Sequence, residues 1–416
     1  MPVPLALYGG THVRATMLDH RRGAAALGAE ERAAVLEVLE SQALFRYGAS
    51  SLGRTQAFEE AVGALLGVPY ALGTSSGTAA LQAALAALGV GPGDEVVVPA
   101  VTFIATANAV VVAGAVPVFC ELDDSLGLDA AHLATLLNER TAAVVPVHLE
   151  NVVCDMDAVL AVTRRHGVPV LEDACQAMGA TYHGAPAGTL GDLGCFSLQL
   201  EKNITSGEGG VVVTRDADLH VRASRYTDQG GQFVTGRGGT RGGEVDEPFV
   251  GENLRMTELA GAIAGVQLGR LPGLLDGMRA VKQKVLDGVG ARDGLTPRWV
   301  PDPDGDGGSS CFWYVPDGEV AERFVAGLLA EGVPSARLYG GKPVYVNPAY
   351  LDRRTVTPKR SPWLRHPVDV RYALGMCPRA EDLAARAVGV AISPGYSASD
   401  VADVVEAVVK VADALL

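Results

Sequence analysis

The stretch Cys195-Phe-Ser-Leu-Gln-Leu-Glu-Lys-Asn-Ile-Thr-Ser-Gly-Glu-Gly-Gly210 places one lysine, Lys202, between an apolar strand-like run and a glycine-rich turn. Upstream of it, the apolar run Val168-Pro-Val-Leu171 ends in the acidic pair Glu172-Asp173. Two acids at the end of a buried strand are costly unless they are paired or hydrogen-bonded. Both segments therefore predict a buried strand followed by residues that are able to do chemistry.

Similar apolar runs alternate with helix patterns as far as a helix pattern at Thr257–Leu271. The predicted strands and the helices between them are Glu95–Pro99, Pro117–Leu122, Ala142–Val147, Val168–Glu172, Gly194–Leu198 and Gly210–Thr214, with Thr78–Leu88, Thr102–Ala113 and Asp155–His166. Valine-rich strands separated by helices favour an α/β fold with a mostly parallel sheet that is covered on both faces. Ligands on such sheets usually bind at the carboxyl ends of the strands, where Pro99, His148, Asp173 and Ser197 fall.

The C-terminal part of the chain has a different pattern. A cluster of turn residues at Asp302–Ser310 interrupts it, and a helix is predicted from about Ser399 to the end. We place a domain boundary near Leu271–Pro272. Residues 1–270 then form a large ligand-binding domain with an N-terminal arm, and residues 271–416 form a smaller α/β domain.

Composition limits the classes of function. The chain has 416 residues, 48% hydrophobic content and a net charge of −14, with no basic block, so nucleic acid and anionic membranes are unlikely partners on charge grounds. The cysteines form no C-x-x-C pair and the histidines show no ligand spacing, so we predict reduced cysteines and no metal site. The sequence shows no signal segment and no long apolar run, which predicts a cytoplasmic protein.

A candidate anion site lies in Gly73-Thr-Ser-Ser-Gly-Thr-Ala-Ala-Leu81, where a strand leads through small residues into an alanine-rich helix. The backbone N–H groups at a helix N-terminus can bind phosphate. Gly77 would let the chain approach such a group closely, and the Thr78 hydroxyl could add a hydrogen bond. The alternative is an ordinary helix cap, because Ser and Thr begin many helices without binding a ligand.

A flat aromatic ligand would suit two further segments. Phe103, just after a predicted strand, could stack on a ring or belong to the core. Asp173 could pair with a pyridinium nitrogen and keep that ring electron-withdrawing, while Gln176 could hydrogen-bond a phenolic oxygen. The alternative for the acids is that they cap the following helix.

Lys202 completes this set. Most lysines lie on the surface, but a lysine that is desolvated or held near a cationic ring has a lowered pKa and becomes a usable amine and general base. Ser197, in the same segment, could reach a phosphate. A lysine, an aspartate and a serine in this arrangement suggest pyridoxal phosphate, which lysine can hold as a Schiff base. His148 could contact this ligand or be a buried structural histidine.

These motifs occur together and in order. The set comprises Ser-Gly-Thr-Ala-Ala-Leu81, Gly93-Asp-Glu-Val-Val-Val-Pro, Thr102-Phe-Ile-Ala-Thr, Pro146-Val-His-Leu, Asp155-Met-Asp, Glu172-Asp-Ala-Cys-Gln, Lys202 and Gly207-Glu-Gly-Gly. It resembles the DegT/DnrJ/EryC1/StrS family, which consists of pyridoxal phosphate-dependent sugar and cyclitol aminotransferases with the type I (aspartate aminotransferase) fold. The resemblance runs from about Gly9 to the C-terminus.

The resemblance implies roles for the residues singled out above. Lys202 would bind the cofactor aldehyde, and the other cofactor contacts would be Asp173, Gln176, Phe103, Gly77, Thr78 and Ser197. Gly251-Glu-Asn-Leu-Arg-Met256 is similar to a family segment in which the asparagine reaches the phosphate bound by the neighbouring subunit. Asn253 therefore implies a homodimer with shared active sites, and Arg255 would face an anionic substrate group.

Some positions depart from the family pattern. Leu254 replaces an aromatic residue, and Glu150-Asn-Val-Val stands where the family commonly has a glycine, which leaves the local turn open. Arg237 and Arg241 lie in the glycine-rich segment Gly230–Gly243, which would either select the substrate or be disordered. The segment Gly340-Gly-Lys-Pro-Val-Tyr-Val-Asn-Pro is similar to the amino-cyclitol and amino-octulosonate subgroups.

The expected activity is a ping-pong transamination. The amino group would pass from glutamate or glutamine to a keto or aldehyde sugar, a cyclitol or a related polyol. The same residues would also suit another pyridoxal phosphate reaction, such as elimination, decarboxylation or cyclisation. A pyridoxal phosphate-binding regulator without turnover is a third reading, although the sequence shows no DNA-binding helix or basic face.

Overall fold

The computed structural model describes residues 4–47, 53–231 and 249–416. Arg237 and Arg241 lie outside the described residues, so their predicted role in substrate selection stays a prediction. Among the described helices, none is long and apolar enough to cross a membrane.

The larger sheet is mostly parallel, as predicted. Its strands in the described chain are β1 (Tyr70–Thr74), β2 (Glu95–Pro99), β3 (Val116–Cys120), β4 (Thr141–Val144), β5 (Leu171–Asp173), β8 (Leu193–Ser197) and β9 (Gly210–Thr214), while β6 (Thr181–Tyr182) and β7 (Ala185–Pro186) form a separate hairpin. The order is β3-β2-β4 followed by β5-β8-β9-β1, and parallel bridges at Val144↔Val170 and Val147↔Asp173 join the two groups. Strand β9 is antiparallel to both its neighbours, and the other strands run parallel to one another.

Helices connect the strands and cover the sheet. In the described chain they are α1 (Ala29–Ser41), α2 (Arg54–Leu66), α3 (Gly77–Leu88), α4 (Ala105–Ala113), α5 (Ala130–Leu136), α6 (Met156–His166), α7 (Ala217–Tyr226), α8 (Glu258–Val289), α9 (Gly318–Ala330), α10 (Pro348–Leu351), α11 (Pro378–Arg386) and α12 (Ala398–Leu415). Helix α3 illustrates why they form here. The Ser76 hydroxyl caps its first turn, alanines fill its interior, and Gly89 ends it with φ of 80°.

The C-terminal part forms a second, antiparallel sheet. Its strands follow the order β10 (Thr296–Pro297), β11 (Ser310–Tyr314), β13 (Ala387–Ala391) and β12 (Ser335–Arg337). Helices α8, α9 and α12 pack beside it, and α12 begins within one or two residues of the predicted start. This arrangement confirms a smaller α/β unit after the larger sheet.

Helix α8 joins the two parts. It continues through Leu271–Pro272, so the predicted boundary falls inside one helix and the division into two domains stays a prediction. One hydrophobic core follows this helix, from Leu268 and Leu271 near the larger sheet to Val281 and Val285 near the smaller one. Because the core is shared, the C-terminal part is held firmly against the larger sheet and can contribute residues to the edge where the strands end.

Candidate active site

A cavity of about 600 Å³ opens at the carboxyl ends of β5 and β8. It is lined by most of the residues that the sequence singles out, namely Gly77, Thr78, Phe103, Asp173, Gln176, Ser197 and Lys202. These residues come from separate strands, turns and helices of the larger sheet. The parallel sheet explains why they converge, since the carboxyl ends of its strands meet at one edge.

One end of the cavity has the features of an anion site. Ser76 accepts a hydrogen bond from the Ala79 N–H at 3.0 Å, while the N–H groups of Gly77 and Thr78 precede the first backbone bond of the helix. A Cβ on Gly77 would lie 2.8 Å from the Ser197 Cβ and 3.1 Å from its Oγ. Glycine is therefore required for α3 to begin this close to the Ser197 hydroxyl, and the gathered donors suit a phosphate.

Asp173 provides a carboxylate that is fixed in place. Its side chain is 4% exposed, and its Oδ2 accepts a hydrogen bond of 2.7 Å from the Thr106 Oγ1. Its Oδ1 accepts a 3.2 Å bond from the Cys175 N–H, and the Thr102 hydroxyl lies 3.1 Å from that of Thr106. The sequence analysis missed Thr106, although it ends the segment that contains Phe103. These bonds hold a negatively charged oxygen at the cavity wall.

Glu172 and His148 form a separate, fully buried group. Glu172 accepts hydrogen bonds from the N–H groups of Gly188, Leu190 and Gly191 at 2.6–2.8 Å, and its Oε2 lies 2.7 Å from the His148 Nε2. Both side chains have no exposed surface, and neither lines the cavity. This arrangement fits the structural role that the sequence left open for His148, and it explains how Glu172 is tolerated at a buried position.

Lys202 lies on the cavity wall in a turn held by its neighbour, Asn203. The side-chain amides of Asn203 and Asn151 exchange two hydrogen bonds of 2.9 Å, and Asn203 also donates to the Met178 carbonyl. In the part of the chain that the structure describes, no carboxylate lies within ion-pair distance of the Lys202 Nζ. Its amine is therefore available to a ligand.

Cys175 places a thiol on the cavity wall, which is another group that could act as a nucleophile. Burial, followed by the nearby Asp173 carboxylate, raises the pKa of the Cys175 thiol well above its ordinary value. A thiol with a raised pKa stays protonated at neutral pH and is a poor nucleophile. This difference favours Lys202 as the group that would form a covalent bond.

Gln176 connects the larger sheet to the C-terminal part. Its Nε2 donates to the Tyr339 hydroxyl at 2.9 Å, and its Oε1 accepts from the Glu150 N–H at 3.1 Å. Tyr339 and Glu150 both line the cavity, and both have positive φ, at 45° and 54°. Burial raises the Tyr339 pKa, so its hydroxyl stays neutral. Neither residue was predicted to line the site, although Glu150 was noted as a departure from the family pattern and Tyr339 precedes the segment that begins at Gly340.

Phe103 extends into the cavity with 56% of its surface exposed. An exposed aromatic side chain inside a cavity is open to stacking on a flat ring. Because it is not packed into the core, the alternative that the sequence left open for it does not hold in this structure.

Asn253 and Arg255 do not line the cavity. Asn253 is exposed and forms an antiparallel bridge with Asp228, and the Arg255 Nη1 donates to the buried Asp228 carboxylate. A position outside the cavity agrees with the implied contact of Asn253 to a neighbouring subunit. That contact, and the contact of Arg255 with a substrate, stay predictions.

Known proteins are similar to this chain over most of its length. A profile described as the DegT/DnrJ/EryC1/StrS aminotransferase family matches residues 25–409. GDP-perosamine synthase of Caulobacter vibrioides is 43% identical over 247 residues, which cover 59% of this chain and 63% of that protein. The L-glutamine:2-deoxy-scyllo-inosose aminotransferase of Streptomyces fradiae is 37% identical over 360 residues, which cover 83% and 82%. The chain thus spans a little under two thirds of the former relative.

Solved structures show the same fold over nearly the whole chain. The aminotransferase TlmJ from Streptoalloteichus hindustanus has a TM-score of 0.81 at 30% identity, covering 96% of this chain and 100% of that one. DesV of S. venezuelae, solved with a ketimine intermediate, has a TM-score of 0.81 at 29% identity, with 96% and 99% coverage. These likenesses confirm the type I transferase fold. The chain belongs to the DegT/DnrJ/EryC1/StrS aminotransferase family.

Proposed function

We propose that this protein is a pyridoxal phosphate-dependent aminotransferase. It moves an amino group from glutamate or glutamine to the carbonyl carbon of a keto or aldehyde sugar, a cyclitol or a related polyol. The observation that carries the proposal is one cavity with Lys202 and Asp173 on its wall and the amides of Gly77 and Thr78 at one end. The names of the relatives support both the type of reaction and the class of acceptor.

The residues of the cavity match the parts of this cofactor. The N–H groups of Gly77 and Thr78 and the Ser197 hydroxyl would hold the phosphate, with Phe103 against the ring and Asp173 at its nitrogen. The close approach between Gly77 and Ser197, which a Cβ would block, is the feature that fits a phosphate there. The chemistry that pyridoxal phosphate supplies when bound is an aldehyde that condenses with amines and a pyridinium ring that accepts electrons.

Lys202 has two tasks in this reaction. Its Nζ would hold the cofactor aldehyde. The free Lys202 amine would be the base that takes the proton from the donor Cα and the acid that returns it in the second half of the reaction. The Asn203–Asn151 amide pair keeps the turn of Lys202 in place, and the Thr106 hydroxyl fixes the Asp173 carboxylate, which would face the ring nitrogen.

Asn253 supports a homodimer with shared sites. It is exposed and outside its own cavity, as a residue that serves a neighbouring subunit would be. The amino donor and the carbonyl acceptor would then be the small-molecule partners of a two-site enzyme.

The test begins with borohydride reduction of the cofactor-loaded protein and mass mapping of its peptides. The pyridoxyl mass should be found on the peptide with Lys202 and be absent from a Lys202→Ala variant. Glutamate and glutamine are then added separately, and absorbance is followed to detect formation of the pyridoxamine form of the cofactor. Labelling of a different lysine would refute the proposed site. Labelling of Lys202 without any response to amino donors would favour the non-transaminating or regulatory alternatives.

A further inference from the structure

The turn from His148 to Asn151 carries one side chain that is not bound by its surroundings. The Glu150 carboxylate lines the cavity, and within the described residues it accepts no hydrogen bond and forms no ion pair. The other groups of the turn form hydrogen bonds within the protein. This contrast suggests that the turn positions Glu150 for a ligand.

The backbone of the turn forms hydrogen bonds with distant parts of the chain. The His148 N–H donates to the Asp173 carbonyl at 3.0 Å, and the Glu150 N–H donates to Gln176. The buried guanidinium of Arg298 donates to the Leu149 carbonyl at 3.0 Å. The Gly307 N–H donates to the Asn151 carbonyl at 3.0 Å.

Two residues of the turn have a backbone conformation that favours glycine, yet neither of them is a glycine. Glu150 has φ of 54° and Asn151 has φ of 64°. The side chain of Asn151 has a structural task, because it pairs with Asn203 beside Lys202. The carboxylate of Glu150 has no comparable task. The Arg298 guanidinium donates its hydrogen bonds to the carbonyls of Ser125 and Leu149 and not to the Glu150 carboxylate.

The charge of the cavity indicates what such a carboxylate would recognise. Among the described lining residues, the acids are Glu150, Asp173, Glu201 and Glu208, and the bases are Arg22 and Lys202. Of the two bases, Lys202 would hold the cofactor, and Arg22 donates one hydrogen bond to the Glu201 carbonyl at 2.7 Å. A negatively charged group placed beside Glu150 would be repelled by its carboxylate, whereas hydroxyl groups would donate to it.

We propose that Glu150 is a specificity-determining residue that accepts hydrogen bonds from the hydroxyl groups of an uncharged ring acceptor. Given the proposed aminotransferase function, the acceptor is then a ketone on a polyhydroxylated ring without phosphate. Hydroxyl groups donate readily to a carboxylate, and such charge-assisted bonds are strong where water is excluded. Tyr339, bound to Gln176 beside the same turn, contributes a neutral hydroxyl to the acceptor site.

Two variants test the role of the carboxylate. Glu150→Gln keeps the shape and removes the charge, and Glu150→Gly removes the side chain while suiting the positive φ. Glu322→Gln, on the exposed face of α9, is the matched control. For each protein, the rate of the half-reaction with the amino donor is measured first. The kcat and KM are then measured for 2-deoxy-scyllo-inosose and for a nucleoside-diphosphate keto sugar.

Both Glu150 variants should keep the donor half-reaction and lose about ten-fold or more in kcat/KM for the uncharged ring, mainly through KM. Calorimetric binding of inositol to the cofactor-loaded protein should weaken to a similar extent, and it requires no turnover. The control should match the wild type in every measurement.

An unchanged kcat/KM or inositol affinity in Glu150→Gln would overturn the inference, and so would a wild-type enzyme that uses only the nucleotide-linked sugar. A wild-type protein that never reacts with amino donors would instead refute the proposed function, while inositol binding would still report on Glu150.

Discussion

The two acids that end strand β5 have different surroundings because successive side chains of a strand point to opposite faces. Glu172 points into the core, where backbone N–H groups and His148 satisfy it. Asp173 points to the cavity, where Thr106 holds it. Adjacent positions of one strand therefore carry a structural carboxylate and a carboxylate that can act on a ligand.

Asp173→Asn tests the role of the Asp173 carboxylate in the reaction. The amide is almost the same size but cannot balance a positive charge on a ring nitrogen, so kcat should fall about 100-fold or more. The free energy of unfolding should change little, because the amide oxygen can still accept from the Cys175 N–H while the amide NH2 donates to the Thr106 hydroxyl. Steady-state kinetics and urea unfolding measure the two quantities. A kcat within about three-fold of the wild type would contradict the role given to Asp173.

Sequence reasoning identified Lys202, Asp173 and Ser197 because each stands in or just after an apolar run whose end could be read. It did not place Glu150 or Tyr339 in the site, and the reason is physical. Their places depend on hydrogen bonds to Gln176 and on a positive φ that neither residue type favours. Contacts between distant segments leave no local periodicity in the sequence.

At the scale of elements, Glu31 joins helix α1 to helix α8. Its carboxylate is 4% exposed and accepts bonds from the Arg270 Nε at 2.8 Å, the Gln267 Nε2 at 3.0 Å and the Gly28 N–H at 2.7 Å. Burial acts to raise its pKa, but the bonds from Arg270, Gln267 and Gly28 outweigh burial and lower the pKa from 4.5 to about 2. The charged form is therefore the one that folding stabilises.

A carboxylate with a lowered pKa contributes stability above its unfolded pKa and loses it in acid. We expect this contribution to be complete above about pH 4.5 and to disappear as the pH falls towards 2. Glu31→Gln should lower the free energy of unfolding by about 1–3 kcal/mol at neutral pH and flatten its dependence on pH in that window. Urea unfolding at several pH values measures both effects.

Glu30→Gln is the matched control for Glu31, since Glu30 is exposed and contacts Arg270 at the surface. It should change stability by less than about 0.5 kcal/mol. An equal loss in both variants would show that Glu31 has no special role in joining the two helices.

The start of helix α3 can be tested by adding one methyl group. In Gly77→Ala the new Cβ would lie 2.8 Å from the Ser197 Cβ, so the helix and β8 must move apart. Cofactor affinity, measured by titration of the apoprotein, should fall about ten-fold or more because the phosphate donors separate. Gly265→Ala in α8 is the control, because nothing described lies within 4 Å of its added Cβ. Equal affinity in both variants would contradict a phosphate site at this helix.

The existence and type of the main elements were readable from the sequence. Strands β2 and β9 have the predicted bounds, since each is a run of apolar residues between clear turn signals. Strand β4 ends earlier than predicted at Val144, because beyond it the chain pairs with β5 only through isolated bridges. The continuous α8 was predicted to end at Leu271, because proline usually interrupts a helix.

At the scale of the whole molecule, shared active sites lead to a complementation prediction. Lys202→Ala and Asn253→Ala chains should each be poorly active alone. In a mixed dimer, one cavity combines the intact Lys202 of one chain with the intact Asn253 of the other. Random mixing should therefore restore about a quarter of wild-type activity. The measurement is activity after the two variants are coexpressed, and activity no greater than the sum of the separate variants would contradict shared sites.

The turn at His148–Asn151 is bound by residues as far along the chain as Arg298 and Gly307. Asn151 in that turn also pairs with Asn203, the neighbour of Lys202. A change at Arg298 or Gly307 should consequently disturb the lysine side and the acceptor side of the cavity at once. The uptake of vitamin B6 and the choice of the molecule to be aminated should weaken together.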